Sequence, residues 1–158
     1  MTEYRLFQDT FSIQLPENFS DLDDKAASIM YPEQNRPPII KTDGVASIAF
    51  NRAQADTDIE VMPQIIRMTK MNIKRLQPGI QFFEEGCEKL ENIEYGWFDH
   101  KGYALDGEIY YLNAFPIVAG KMFHVSFNAP YKTKEEWKLK ILEILRTMQD
   151  LTRIGKRV

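Results

Sequence analysis

The sequence predicts an α+β fold, an antiparallel meander sheet flanked by two long amphipathic helices. Three observations carry this. Residues 80–128 hold four strand-like runs separated only by short turn signals, the pattern of a meander and not of parallel crossovers. Residues 58–76 and 134–151 each carry an apolar stripe at helical spacing. The chain of 158 residues suits a single domain, residues 1–158, with a core of its own and no need of disulfides or a structural metal.

The elements follow in order. Tyr4 and Leu6 alternate with polar neighbours, and Phe11, Ile13 and Leu15 do so strictly, so 3–8 and 11–15 read as strands. Gln8, Asp9 and Thr10 make the turn between them, and Pro16 ends the second. Residues 21–30, DLDDKAASIM, suit a short helix, because acidic residues favour the positive end of the helix dipole. Three prolines within 31–38 then favour extended backbone. GVASIAF, 44–50, is small or apolar on both faces and belongs in the interior of a sheet. In 58–76 the stripe is Met62, Ile65, Ile66, Thr69, Ile73 and Leu76, with Arg67, Lys70 and Lys74 opposite. Pro63 requires a place in the first turn, and Gln77-Pro78-Gly79 stops the helix.

Strands are expected over 80–90, 93–100, 103–115 and 117–128, punctuated by Gly102, Pro116 and Gly120. Thr133 and Glu136 fit a capping box for the last helix, whose buried stripe runs Trp137, Ile141, Ile144, Leu145, Met148, Leu151. The expected order is β-β-(short α)-β-α-β-β-β-β-α.

Composition narrows the function classes. The chain is 44% hydrophobic and 27% charged, close to globular averages, and its aromatic content of 12% argues against disorder. A net charge of −3 and a pI near 5.5 give no general attraction to nucleic acid or an anionic membrane, although Arg153, Lys156 and Arg157 make the tail from about 152 basic. Cys87 is alone, so no internal disulfide forms, which suits a reducing compartment. The first residues show no basic and apolar leader, and no run approaches membrane-spanning length. These points together lead to the expectation of a cytoplasmic protein with no membrane insertion and no nucleic-acid partner.

Each chemical candidate has a structural reading beside it. Asp99, His100 and Asp106 could supply a general base or part of a metal site. Asp99, His100, Lys101 and Gly102 also read as polar residues where two strands turn, and that reading is preferred. His100 and His124 lack any H-x-H or H-x-x-x-H spacing, and no C-x-x-C exists, so no metal is expected. Cys87 has no nucleophile signature around it and reads as a small buried hydrophobe. There is no G-x-S-x-G, no P-loop and no G-x-G-x-x-G, so neither a serine nucleophile nor a cofactor is indicated. The Arg67, Lys70, Lys74 stripe reads as a solvated face.

The period of two sorts the aromatics. Tyr95 and Trp97 share a face with Ile93; Tyr103, Leu105, Ile109 and Tyr111 share one, and Asp106, Glu108 and Tyr110 the other. Most rings then lie under the helices, with a surplus expected on an open sheet face. The segment YPEQNRPPII is the leading loop candidate, since a proline-stiffened connection loses little entropy on binding and carries Tyr31 and Arg36.

The opening FSIQLPENF, the helix near residue 60, the meander and the last helix after FNAPYKTKEEW resemble the PsbP-like superfamily in layout across nearly the whole chain. That group includes the photosystem II extrinsic subunit, bacterial DcrB-type proteins and a Ran-binding nuclear-import factor family. The resemblance, strongest to the bacterial branch, implies an α/β/α sandwich and a binding or accessory protein without catalysis. The expected function is the docking of a protein partner on the open sheet and the 31–40 loop, through Tyr31, Arg36, Trp97, His100 and Tyr110. A small-molecule domain with an aromatic and methionine-lined pocket is one alternative. A hydrolase using His100 with Asp99 or Asp106 is the other.

Overall fold

The computed structural model describes residues 1–31, 36–105 and 107–156. Its frame is a seven-stranded antiparallel sheet in the order β3-β4-β5-β9-β8-β7-β6. The strands are β3 (Ser20–Asp21), β4 (Ile39–Thr42), β5 (Ser47–Asp56), β6 (Gln81–Lys89), β7 (Glu94–Ala104), β8 (Gly107–Val118) and β9 (Lys121–Pro130). A smaller sheet joins β1 (Thr2–Leu6), β2 (Phe11–Leu15) and β10 (Gln149–Asp150) in the order β1-β2-β10. Among the described residues three α-helices accompany them: α1 (Asp24–Met30), α2 (Met62–Leu76) and α3 (Lys134–Arg146).

Helices occupy both faces of the large sheet, because each strand sends alternate side chains to opposite sides. On one face Tyr110, Leu112 and Ala114 of β8 and Val125 and Phe127 of β9 meet Trp137, Ile141, Ile144 and Leu145 of α3. Phe11, Ile13 and Leu15 of β2 close the same core and are fully buried. On the other face Met62 and Ile66 of α2 lie on Phe98, Phe115 and Ile117. Gly96 makes this approach possible, since a Cβ there would collide with Met62 and Ile66. Ala27 of α1 packs on Ile40 and Ala49, also on the α2 face. Each fully buried apolar side chain contributes roughly 1.5–3 kcal/mol, so α3 with the small sheet anchors the larger core.

Most expected elements form, and the differences have local causes. Strand 44–50 becomes the interior strand β5, between β4 and β9. Pro63 sits in the first turn of α2, which starts after a 3-10 turn over Ile59–Val61. Leu76, expected in the buried stripe, is exposed. Lys70 is not on the outer face: it reaches Glu85 at 2.6 Å and lies over the rings of Phe82 and Phe98. The capping box does not form, because the Thr133 hydroxyl donates to the Pro130 carbonyl at 2.6 Å. Helix α3 ends at Arg146, and the residues beyond supply β10, which pairs with β2. In the β1–β2 turn Phe7, Gln8 and Asp9 all adopt positive φ, 52° to 61°, so the turn begins one residue earlier than its polar residues suggest.

The main correction concerns 99–102. These residues do not turn. Strand β7 runs through them to Ala104 and pairs with β8 from Glu94↔Ile117 to Ala104↔Gly107. Gly102 is needed inside the strand because the Tyr111 ring packs where its Cβ would be. The chain reverses after Ala104, and Gly107 there has φ +141°. Asp106 lies outside the described residues. Moving the turn also separates Tyr103 from Tyr111, which face opposite sides of the sheet.

Candidate functional site

Asp99 and His100 are consecutive in the middle of β7, so their side chains leave on opposite faces. Asp99 points to the α3 side and is fully buried. The ladder between β6 and β7 shifts between Phe82 and Glu85, a bulge that releases a backbone amide from strand pairing. The Glu84 N–H donates to Asp99 Oδ1 at 2.8 Å. The Tyr110 hydroxyl donates to Asp99 Oδ2 at 2.8 Å, and Lys138 Nζ of α3 lies 3.1 Å from the same oxygen. Lys138 also bonds Glu84. Burial alone would lower the Lys138 ammonium; its bonds to Glu84 and Asp99 outweigh this and hold it above the usual value. Burial first, then the Asp99 charge, raises the Tyr110 phenol far above its ordinary value. The cluster is a closed set of partners that ties α3 to the bulge of β6.

His100 points to the α2 side at 5% exposure. It stacks on Tyr111 with centroids 4.9 Å apart and also contacts Phe98 and Phe82. Its Nδ1 has no hydrogen-bond partner. Burial lowers its pKa to about 4, against a weaker upward pull from Asp99. His124 lies on the same face, bonded through Nε2 to Asn113 at 2.9 Å and through Nδ1 to Asn51 at 3.5 Å. Burial lowers it to about 4 as well. Both rings are neutral at pH 7. Among the described residues no group of three or more His, Cys, Asp and Glu side chains is placed to hold a metal ion. Cys87 is not the buried hydrophobe expected but is exposed on the edge strand β6, its thiol pushed up by partial burial and by Glu85 and Glu88, the reverse of what a nucleophile needs.

The residues expected to dock a partner scatter. Tyr110 and His100 are buried on opposite faces of the sheet, and Trp97, at 8% exposure, packs over Gly86 on the α3 side. None of the three forms an open aromatic patch, because α3 and α2 cover both faces of β7. Arg36 pairs with Asp24 at 2.6 Å beside Pro37 and Pro38. Tyr31 is the exception. It lines a surface groove of about 500 Å³ with Met30, Val45, Ile109, Tyr111 and Pro130. Its hydroxyl bonds Asn128, and burial raises its pKa. Met30 and Val45 are 48% and 63% exposed there. Val45 and, at the nearby β7–β8 tip, the fully exposed Leu105 are apolar residues in turns. That mismatch between residue and turn is the signal in the sequence that an expectation of polar turns passes over.

The hydrolase pairing of His100 with Asp99 does not form, since the two side chains diverge across the sheet, and the pairing with Asp106 lies outside the described residues. On the α3 side the described interior is packed with apolar side chains.

Two layers of helix on a long antiparallel sheet, with a small sheet closing one side, define an α+β sandwich. Solved structures make the class specific: the chain has the PsbP/Mog1p-like fold. It is similar to the cyanobacterial PsbP protein CyanoP of Synechocystis sp. PCC 6803, with TM-score 0.65 and 10% identity over 94% of this chain and 91% of that one. It is similar to the Ran-binding protein Mog1p of Saccharomyces cerevisiae, with TM-score 0.58 and 11% identity over 95% of each chain. LpqN of Mycobacterium tuberculosis, involved in cell envelope biogenesis, gives TM-score 0.56 and 12% identity over 88% of this chain and 82% of its own. No family model and no curated protein matches the sequence. At such identities the likeness concerns the fold.

Proposed function

We propose that this is a non-catalytic binding or accessory protein that docks a protein partner in the groove between the end of α1 and the β7–β8 tip. Tyr31, the first residue of the 31–40 segment, forms part of its rim. The observation that carries the reading is the groove itself, where exposed Met30 and Val45 stand beside Tyr31, Ile109 and Tyr111. Apolar side chains with aromatic neighbours and a polar edge are the composition of an interface centre. The Ran-binding description of Mog1p supports the use of this fold for protein recognition. The lone cysteine fits a reducing compartment, so the proposed setting is the cytoplasm, and no helix is long and apolar enough to cross a membrane among the described residues.

The test is photo-crosslinking in the native cell from a reactive residue at position 45. A single dominant adduct is expected, and Met30→Glu should abolish it without changing the circular dichroism spectrum. Leu139→Glu, on exposed surface of α3, should leave it unchanged. An adduct pattern insensitive to Met30→Glu would refute the docking site. The groove volume also falls within the range of small-molecule sites, which favours a ligand as the second reading. Saturation of the adduct by a co-purified metabolite would support that instead.

A further inference from the structure

Strand β6 is the outer strand of the large sheet, with no strand beyond it among the described residues. The opposite edge, β3, is only two residues long. The direction of β6's free backbone groups follows from its inner ladder. The Leu90 N–H donates to the Ile93 carbonyl at 2.9 Å, which makes Leu90/Ile93 a hydrogen-bonded pair. Antiparallel pairs alternate, so Glu88/Tyr95 and Gly86/Trp97 are the next hydrogen-bonded pairs. Glu85, Cys87 and Lys89 therefore turn their N–H and C=O groups away from β7, toward the open edge. The bulge ends this alternation before Glu85. Residues 85–89 remain as a regular run without proline, the kind of edge that can accept another strand.

The side chains of Glu85, Cys87 and Lys89 share the α2 face and are exposed. Glu85 contacts Lys70 of α2, and Lys89 contacts Glu60 just before it. Along the edge they read acid, thiol, base. A two-fold axis at Cys87 sets each Glu85 opposite the Lys89 of the other copy. Centring the axis on Glu85 or on Lys89 would oppose like charges. Unlike charges directly across a strand pair stabilise it, and like charges disfavour it.

We propose that two copies of this chain associate edge to edge through residues 85–89 of β6, antiparallel about a two-fold axis at Cys87, so that the large sheet continues across a homodimer. Each Cys87 exchanges its N–H and C=O with the Cys87 of the second copy, and Glu85 and Lys89 exchange theirs. The occupant is a second copy and not an unrelated strand because the charge order of this edge is complementary to its own reverse. This surface is separate from the groove, so either proposal can fail alone.

Facing residues of a hydrogen-bonded antiparallel pair have Cα atoms about 5.5 Å apart, within the reach of a disulfide. An added oxidant therefore reads the register. The experiment combines sedimentation velocity of the full chain carrying Cys87→Ser with copper–phenanthroline oxidation of the wild type. A concentration-dependent dimer is expected for Cys87→Ser, and fast conversion to a disulfide dimer for the wild type. Lys89→Glu and Glu85→Lys should each weaken the dimer at least about tenfold, since both symmetric contacts become repulsive. The double variant Glu85→Lys/Lys89→Glu should restore it. Cys87→Pro removes an outward N–H without breaking a bond to β7, and should weaken the dimer with no change of charge. A monomer at every concentration overturns the proposal. So does a dimer that ignores the single reversals, or oxidation at equal rates in wild type and Lys89→Glu, which would mark random collision of exposed thiols.

Discussion

Asp99 and His100 are neighbours in one strand, both buried, and the protein treats them oppositely. On the α3 side the carboxylate of Asp99 gathers an amide, a hydroxyl and an ammonium around it. On the α2 side the imidazole of His100 lies among rings, with Nδ1 unpaired. A buried charge is tolerated only when fully partnered, whereas a buried histidine can shed its charge and enter an aromatic stack. The two faces therefore fail differently: one through loss of a partner, the other through uptake of a proton.

The largest effect is expected from Asp99→Ala. It leaves Lys138, the Tyr110 hydroxyl and the Glu84 amide without their common acceptor, at a cost of about 3–5 kcal/mol in urea unfolding at pH 7. A loss below about 1 kcal/mol would show the cluster to be dispensable. Next comes acid. His100 and His124 stand near pKa 4 in the fold against 6.5 for a free imidazole. Their folded values are depressed, so this part of the stability is complete above pH 6.5 and drains away as the pH falls toward 4, where the unfolded chain has already taken up the protons. For His100 the drop amounts to roughly 3 kcal/mol. Thermal melts of His100→Phe should lose that part of the acid sensitivity; profiles parallel to the wild type between pH 7 and 4 would sink the assignment.

Gly96→Ala attacks the α2 face by overpacking, because Met62 and Ile66 already fill the space of a Cβ. The expected loss is about 1–3 kcal/mol, with α2 amides exchanging faster than those of α3 in hydrogen-exchange measurements. The smallest change is Tyr110→Phe, which removes one of the donors to Asp99. It should cost about 1.5 kcal/mol and leave the ring packing against Phe127 intact. A double-mutant cycle with Asp99→Ala should show the two effects to be coupled.

The meander and both long helices were legible because their apolar residues recur at the periods of strand and helix over many positions. Strand β10 was not, because two residues carry no period and their pairing depends on β2 being placed alongside. The turn was misplaced for a related reason. Asp99, His100, Lys101 and Gly102 have the composition of a loop, and only partners from β6, β8 and α3 make that composition acceptable inside a sheet. Of the docking residues, Tyr31 does line the groove, while Trp97, His100 and Tyr110 are held inside by helices whose position over the strands no local pattern reveals.

By itself the sequence determined the α+β class and the kinds and order of the longer elements, since periodicity and turn chemistry act within a few residues. The tertiary structure decided which polar groups are buried and satisfied, which edge stays open, and where apolar side chains from α1, the β4–β5 turn and β8 meet in a groove. Those outcomes depend on contacts between residues far apart in the chain, whose energies exist only once the sheet has brought them together.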